Sequence, residues 1–216
     1  MRIGVLGTGM VGQTIASKLV GLGHEVRMGS RTAGNEKAAE WVEAAGGNAS
    51  QGTFADAAEF GELLFNCTAG GASLEALEQA GEPALAGKVL VDVANTLDFS
   101  HGRPPTLTVC NTDSLGEQIQ RRFPQTRVVK ALNTVNCQVM VDPGLVSGDH
   151  DVFLCGDDEG AKGEVVSLLE SFGWKAEQVV DLGGIGASRG TEMYLALWVR
   201  LIGTVGSPHF NVKVVR

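Results

Sequence analysis

Apolar positions along the chain alternate between two patterns. Short, nearly continuous apolar runs occur at RIGVLG (2–7), HEVRMGS (24–30), ELLFNCT (62–68), KVLVDVA (88–94), TRVVKAL (126–132), DVFLCG (151–156) and QVVDL (178–182). Each has strand length and carries β-branched or aromatic residues. Between them, apolar residues recur at intervals of three and four, which predicts helices over 10–22, 36–45, 73–80, 114–123 and 159–172. The last is the clearest, with Val165, Leu168, Leu169 and Phe172 on one face and Gly173 as its stop. Strands that are apolar on both faces and separated by helices belong to a parallel sheet covered on two sides. The pattern therefore predicts a doubly wound α/β fold.

Two segments break this rhythm. Residues 95–112, NTLDFSHGRPPTLTVCNT, have little periodicity and follow a strand. A loop of that length is either a functional lid or an exposed excursion. Residues 191–205, TEMYLALWVRLIGTV, are apolar around nearly the whole helical circumference. Such a helix should be buried on more than one side, either between the sheet and a partner subunit in a homodimer or as the central helix of a monomer.

Composition narrows the classes of partner. With 25 acidic against 17 basic residues the formal net charge is −8, which argues against nucleic acid or an anionic membrane as partner. An anionic ligand must then be held by a local cluster of donors. The four cysteines, Cys67, Cys110, Cys137 and Cys155, form no CxxC pair and have no neighbouring histidine, so buried free thiols are expected rather than disulfides or a metal site. The chain opens directly into RIGVLG, and no apolar run approaches the ~20 residues of a membrane span. The expectation is a soluble cytoplasmic protein.

The chemistry begins at GTGMVG, Gly7 to Gly12, which directly follows a strand, opens a helix and reaches a second strand within one βαβ unit. In this G-x-G-x-x-G fingerprint Gly7 allows the tight turn, Gly9 lets the backbone approach a pyrophosphate, and Gly12 lets the helix pack against the sheet. The amides of Thr8, Gly9, Met10 and Val11 would face the phosphates, helped by the helix dipole. The fold is then Rossmann-like: a mostly parallel sheet over residues 1–150 binds the dinucleotide, and a small C-terminal helical appendage over 151–216 contributes to the substrate site and a dimer interface. The second strand ends in MGSRT, Met28 to Thr32, where an acidic residue would bond the 2′-hydroxyl of NAD. Here stand Ser30, Arg31 and Thr32, with Asn35 and Lys37 just beyond. A guanidinium flanked by hydroxyls suits a 2′-phosphate, so the reading is NADP.

Three strand ends can line the nicotinamide: Thr68-Ala69-Gly70-Gly71, Val93-Ala94-Asn95 and Asn133-Thr134-Val135. Asn95 and Asn133 either bond the carboxamide or cap turns. There is no Tyr-x-x-x-Lys pair. His24 is read as structural, His101 and His150 as surface residues, and His209 as a weak site candidate. Lys130 is either a site residue or a charge emerging at its strand end. No catalytic acid or base stands out. Ketone reduction needs a proton donor at the oxygen, whereas hydride exchange between two redox cofactors needs mostly alignment and exclusion of water.

The combination of GTGMVG, GLGHEVRMGSRT, LCGDDEGAK with the LLESFGW helix, and the tail PHFNVKVV resembles the F420-dependent NADP reductase family over nearly the whole chain. It is also similar to the reductase domain of the STEAP ferric reductases. The resemblance implies NADP on the glycine turn and the pair Ser30–Arg31, with nicotinamide-side contacts near Ala69, Gly71, Asn95 and Cys137. It implies coenzyme F420 as co-substrate near Asn133 and Phe210, and direct hydride transfer between nicotinamide and deazaflavin. Arg103, Arg121, Arg122, Arg127, Arg189 and Lys213 are candidates for a basic rim toward the polyanionic F420. The competing functions are an NADPH-dependent reductase of a flavin, ferric complex or imine, and a non-catalytic NADPH-binding sensor.

Overall fold

The structure is a computed structural model and describes residues 1–215 of the 216. Its first half winds β1 (Arg2–Leu6), α1 (Met10–Gly21), β2 (Glu25–Ser30), α2 (Glu36–Ala45), β3 (Ala49–Thr53), α3 (Phe54–Phe60), β4 (Leu63–Asn66), α4 (Ser73–Ala80), the short α5 (Glu82–Leu85) and β5 (Val89–Asp92). A two-stranded ribbon, β6 (Leu97–Asp98) and β7 (Thr106–Leu107), follows. The chain then continues through α6 (Leu115–Arg122), β8 (Arg127–Ala131), α7 (Cys137–Val141), β9 (Val152–Gly156), α8 (Glu159–Phe172) and β10 (Val179–Asp181). It closes with α9 (Ser188–Met193) and α10 (Leu195–Val205).

Eight strands form one sheet in the order β10-β9-β8-β5-β4-β1-β2-β3. The six from β3 to β8 are parallel, and β9 joins β8 antiparallel with β10 parallel to it. This is the Rossmann strand order extended by two strands, as the apolar pattern predicts. The boundary expected at residue 150 falls between β8 and β9, and hydrogen bonding runs across it. One apolar core lies on the face carrying α1, α2, α7 and α8, with Ile15, Leu19, Trp41, Met140, Leu169 and Phe172 among its members. A second lies on the opposite face under α3, α4, α5 and α6, around Phe54, Leu77, Leu85, Ile119 and Phe123.

Two elements of the sheet's far edge escape the sequence reading. β3, ASQGT, is polar because it is an edge strand buried at only Gly52. α3 is short, and a reciprocal cap fixes its start: Asp56 N donates to Thr53 Oγ1 at 3.1 Å and Thr53 N to Asp56 Oδ2 at 2.8 Å. It sits close on β1 because Gly4 has no side chain, and a Cβ there would run into the Ala57 carbonyl.

The C-terminal segment corrects the expectation of a single, enclosed helix over 191–205. α9 and α10 meet at Tyr194, which keeps helical dihedrals (φ −55°, ψ −28°) and whose carbonyl accepts from Trp198 N at 2.9 Å. Within α10 only Leu195 is buried, while Leu197 and Val205 are more than half exposed. The helix is therefore not enclosed within its own chain. Beyond α10 the tail folds back: Asp151 N donates to the Val212 carbonyl, Val214 N to Asp151 Oδ2, and Lys213 pairs with Asp149 and Asp151. His150, expected at the surface, is buried beneath this tail, bonded to Asn211 and edge-on to Trp174. All four cysteines are free, but Cys110 is exposed. No helix among the described residues is long and apolar enough to cross a membrane.

Candidate dinucleotide site

A groove runs across the carboxyl ends of β1, β2, β4 and β5, where strand order reverses between β1 and β4. Its first half, a cavity of about 300 Å³, is lined by Gly7, Thr8, Gly9, Ser30, Arg31 and Asn35, with Phe54 of α3 and the Glu75–Gln79 turn of α4 opposite. Its second half, about 320 Å³, is lined by Val11, Val93, Ala94, Asn95, Leu97 and Phe99. Cys67, Thr68 and Ala69 line both halves and make the groove continuous.

The glycine turn has the geometry its residues predict. Gly7 has φ +119°, and its N–H donates to the Gly29 carbonyl at 2.9 Å. A Cβ on Gly12 would strike the Gly7 carbonyl, so α1 can approach β1 only without one. Gln13 Nε2 donates to the Thr8 carbonyl at 3.1 Å and steadies the loop. A Cβ on Gly9, by contrast, would meet nothing within 4 Å. The protein does not itself need glycine there, whereas a pyrophosphate lying on that backbone would. α1 begins with no side-chain cap and no acidic residue in its first turn, which leaves its amides free for an anion.

At the far end of the first half, Arg31 is exposed and makes no hydrogen bond or ion pair among the described residues. Ser30 is buried and its Oγ donates to the Thr32 carbonyl at 2.6 Å, so it shapes the turn that carries Arg31 rather than offering a free donor. Asn35 spends its Oδ1 on the cap of α2, accepting from Ala38 N. Thr32 is exposed. Lys37 does not join this cluster; it lines a separate surface groove between α1 and α2 with Lys18 and Glu40.

The second half is apolar apart from amide and hydroxyl groups. Asn95 Nδ2 donates to the Asn133 carbonyl at 2.9 Å and Asn133 Nδ2 to Asn95 Oδ1 at 3.0 Å. Asn95 lines the groove while Asn133 is buried behind it, its Oδ1 without a protein partner. Leu132, just before it, is held at φ +63°, a conformation that costs a bulky residue about 1–3 kcal/mol. Gly71 is exposed with open space before it, and Met10 stands exposed at the start of α1. Burial, and then the charge of Asp92, push the Cys67 thiol well above its ordinary pKa, so it stays protonated and neutral.

Two residues implied by resemblance lie elsewhere. Cys137 starts α7 and is buried in the first core. Phe210 stacks on Trp198 with ring centroids 5.9 Å apart and does not line either half of the groove. His209 is exposed and bonds Gln138. The candidate basic rim also disperses: Arg121, Arg122, Arg127, Arg189 and Lys213 are each committed to carboxylates. Arg103 has no carboxylate partner among the described residues, and stacks over Phe99 at 5.7 Å in the connection between β6 and β7. The sequence reading missed Phe54, Cys67, Leu97 and Phe99 as groove residues. Only the ribbon had left a signal, as the long aperiodic segment at 95–112.

Fold and groove together are those of a Rossmann-type dinucleotide-binding unit. Residues 2–96 match the model of the family described as NADP oxidoreductase, coenzyme F420-dependent. A crystal structure of a proposed F420-dependent NADP reductase from Arthrobacter sp. FB24 superposes with a TM-score of 0.94, at 51% identity over 100% of both chains. The F420-dependent NADP reductase of Methanocaldococcus jannaschii is 29% identical over 147 residues, 68% of this chain and 64% of that one. The metalloreductase STEAP3 of Rattus norvegicus is 28% identical over 192 residues, 88% of this chain but 36% of that protein. An imine reductase of Streptomyces aurantiacus shares the fold at TM-score 0.68 and 21% identity, covering 95% of this chain and 64% of its own. The chain thus spans about a third of the rat protein's length and just under two thirds of the archaeal one's. It belongs to the F420-dependent NADP oxidoreductase family.

The open space at Gly9 makes a specific prediction. Gly9 has φ −79°, accessible to any residue, so Gly9→Ala should leave the unfolding free energy within about 0.5 kcal/mol of the parent. Its NADPH affinity, measured by titration calorimetry, should fall at least ~10-fold, about 1.4 kcal/mol. Unchanged affinity would remove the phosphate from that surface.

Proposed function

We propose that this protein passes a hydride between C4 of the nicotinamide of NADP(H) and C5 of the deazaflavin of coenzyme F420. The observation that carries this reading is the contrast between the two ends of one groove. The first end offers an unpaired guanidinium, and the second offers small, apolar and amide groups around a neutral thiol. Arg31 would grip the 2′-phosphate with paired N–H donors and face the adenine. The amides of Thr8 to Val11 would hold the pyrophosphate. Asn95, backed by Asn133, would orient the carboxamide, and Val11, Ala69, Val93 and Ala94 would exclude water from the ring. A site that aligns two planar rings in this way needs no side-chain acid at the reacting carbons: the hydride leaves C4 of one ring for C5 of the other, and the one proton that completes the reduced deazaflavin, at a ring nitrogen, comes from solvent.

Phe99 and Arg103 support an anionic, planar acceptor. Both are in the connection between β6 and β7 at the mouth of the second half, and Arg103 has no carboxylate partner among the described residues. α10 supports a homodimer: an apolar helix that buries only Leu195 within its own chain has a face left for a second copy.

Three measurements test these readings. Mixing the protein with NADPH and oxidised F420 at neutral pH should bleach the deazaflavin absorbance. Turnover confined to free flavin, a ferric chelate or an imine would reassign the acceptor, and tight NADPH binding with no turnover would make the protein a sensor. Arg31→Ala should weaken NADPH binding ~10-fold or more, while NADH binding shifts by less than ~2-fold. Equal losses for both cofactors would sink the phosphate assignment. Leu197→Glu, at a position already exposed in the single chain, should convert a dimer to a folded monomer in sedimentation; a wild-type monomer would refute the interface.

A further inference from the structure

A buried polar relay lies directly beneath the second half of the groove. Asn66, Asp92 and Lys130 end or nearly end β4, β5 and β8 and stand side by side in register, all with 0% exposure. Lys130 Nζ donates to Asp92 Oδ2 at 2.8 Å, to the Ala94 carbonyl at 2.5 Å and to Glu192 Oε1 at 2.9 Å. Asp92 Oδ1 accepts from Asn66 Nδ2 at 2.8 Å and from Ala94 N at 3.2 Å. Asn66 Oδ1 in turn accepts from Thr68 Oγ1 at 2.7 Å and Thr68 N at 3.3 Å. Each interaction of the relay toward the groove thus ends on a residue two positions beyond a strand, Thr68 or Ala94. Both of these line the second half.

This arrangement does more than hold strands together. Three apolar side chains of similar volume would bind the sheet without desolvating two charges, often with equal or greater stability. They could not, however, fix the hydrogen bonding of the backbone after the strands stop pairing. We infer that Asn66, Asp92 and Lys130 are positioning residues for the nicotinamide end: acting through Thr68 and Ala94, they set the wall against which the ring lies. They touch neither cofactor nor acceptor. Glu192, on the other side of Lys130, serves docking instead, since its carboxylate also takes Leu115 N and Gly116 N at the start of α6. The inference rests on the groove holding NADP(H) in the orientation proposed above.

The test separates the two ends of the cofactor. Asn66→Ala cuts the link to Thr68 and leaves the Lys130 pairs with Asp92 and Glu192 in place. Its affinity for 2′,5′-ADP, which carries only the adenosine half, should stay within ~2-fold of wild type, while its NADPH affinity falls ~10-fold. The change in nicotinamide fluorescence that accompanies NADPH binding should be lost with it. Thr68→Val, which removes the hydroxyl end of the same link together with its bond to Ser73 Oγ at 2.9 Å, should show the same split in smaller degree, and keeps the test decisive if Asn66→Ala fails to fold. Glu192→Gln should lower the thermal midpoint yet preserve both affinities and the fluorescence change. Equal losses for NADPH and 2′,5′-ADP in Asn66→Ala, or a Glu192→Gln variant with the same split, would reduce the relay to a structural strut. Failure of the wild type to bind 2′,5′-ADP would bring down the groove assignment itself, and this inference with it.

Discussion

The ammonium of Lys130, with no exposure to solvent, is the charge on which both parts of the molecule depend. Burying an ion costs several kcal/mol unless its partners return it, and here two carboxylates and a carbonyl surround one amine. Burial opposes the charge, but Asp92 and Glu192 outweigh it and hold the Lys130 amine above its usual pKa, so it stays charged at any physiological pH. Asp92 belongs to the fifth strand of the nucleotide-binding unit and Glu192 to α9 of the C-terminal appendage. One cation therefore neutralises an acid from each. Leaving either carboxylate unpaired in that interior would cost about 3–5 kcal/mol, comparable to a large share of a domain's net stability. The appendage is not simply added to the sheet; it supplies one of the two negative charges that the Lys130 site needs.

The same constraint explains why the groove is firm at one end and open at the other. The glycine turn is fixed by backbone geometry alone, through the positive φ of Gly7 and the close approach at Gly12. The strand ends beyond β4 and β5 have no such local device. They are held by side chains reaching up from the sheet, and by the reciprocal pair Asn95–Asn133 behind a strained Leu132. Arg31, by contrast, is held only by its turn, which suits a group that gains its partner when a phosphate arrives.

How much of this could be read in the sequence follows from how local each feature is. The parallel strands were legible because burial on both faces leaves continuous apolar runs, and the glycine fingerprint because its turn and helix are contiguous. β3 was not, since an edge strand with one buried residue has no apolar signal. Lys130 stood out as a charge inside a strand, yet Asn66 and Asp92 looked like unremarkable polar residues at strand ends. Their meaning depends on the register that sets Asn66 beside Asp92 and Asp92 beside Lys130, and register between parallel strands is not written in either one. Cys137 and Phe210 lie outside the groove for a related reason: resemblance aligns positions, but α7 turns Cys137 into the core and the returning tail carries Phe210 onto Trp198.

The appendage is also tied to the rest of the fold through α6. α9 is anchored inward by Glu192, and Ser114, Ser188 and the Glu117–Arg189 pair tie the same helix to α6. α10 continues from α9 through Tyr194, whose backbone is helical, so its direction is set by that anchor. The tyrosine hydroxyl and the Trp198 indole N–H are both buried without a protein partner. Such groups are rarely left so in a finished interior, and they adjoin an apolar helix of which only Leu195 is fully buried by its own chain. If a second copy completes that surface, its docking geometry is inherited from Glu192 and hence from Lys130. The positions of the strand ends that face the nicotinamide and of the helix that faces the partner would then be set by one buried cation.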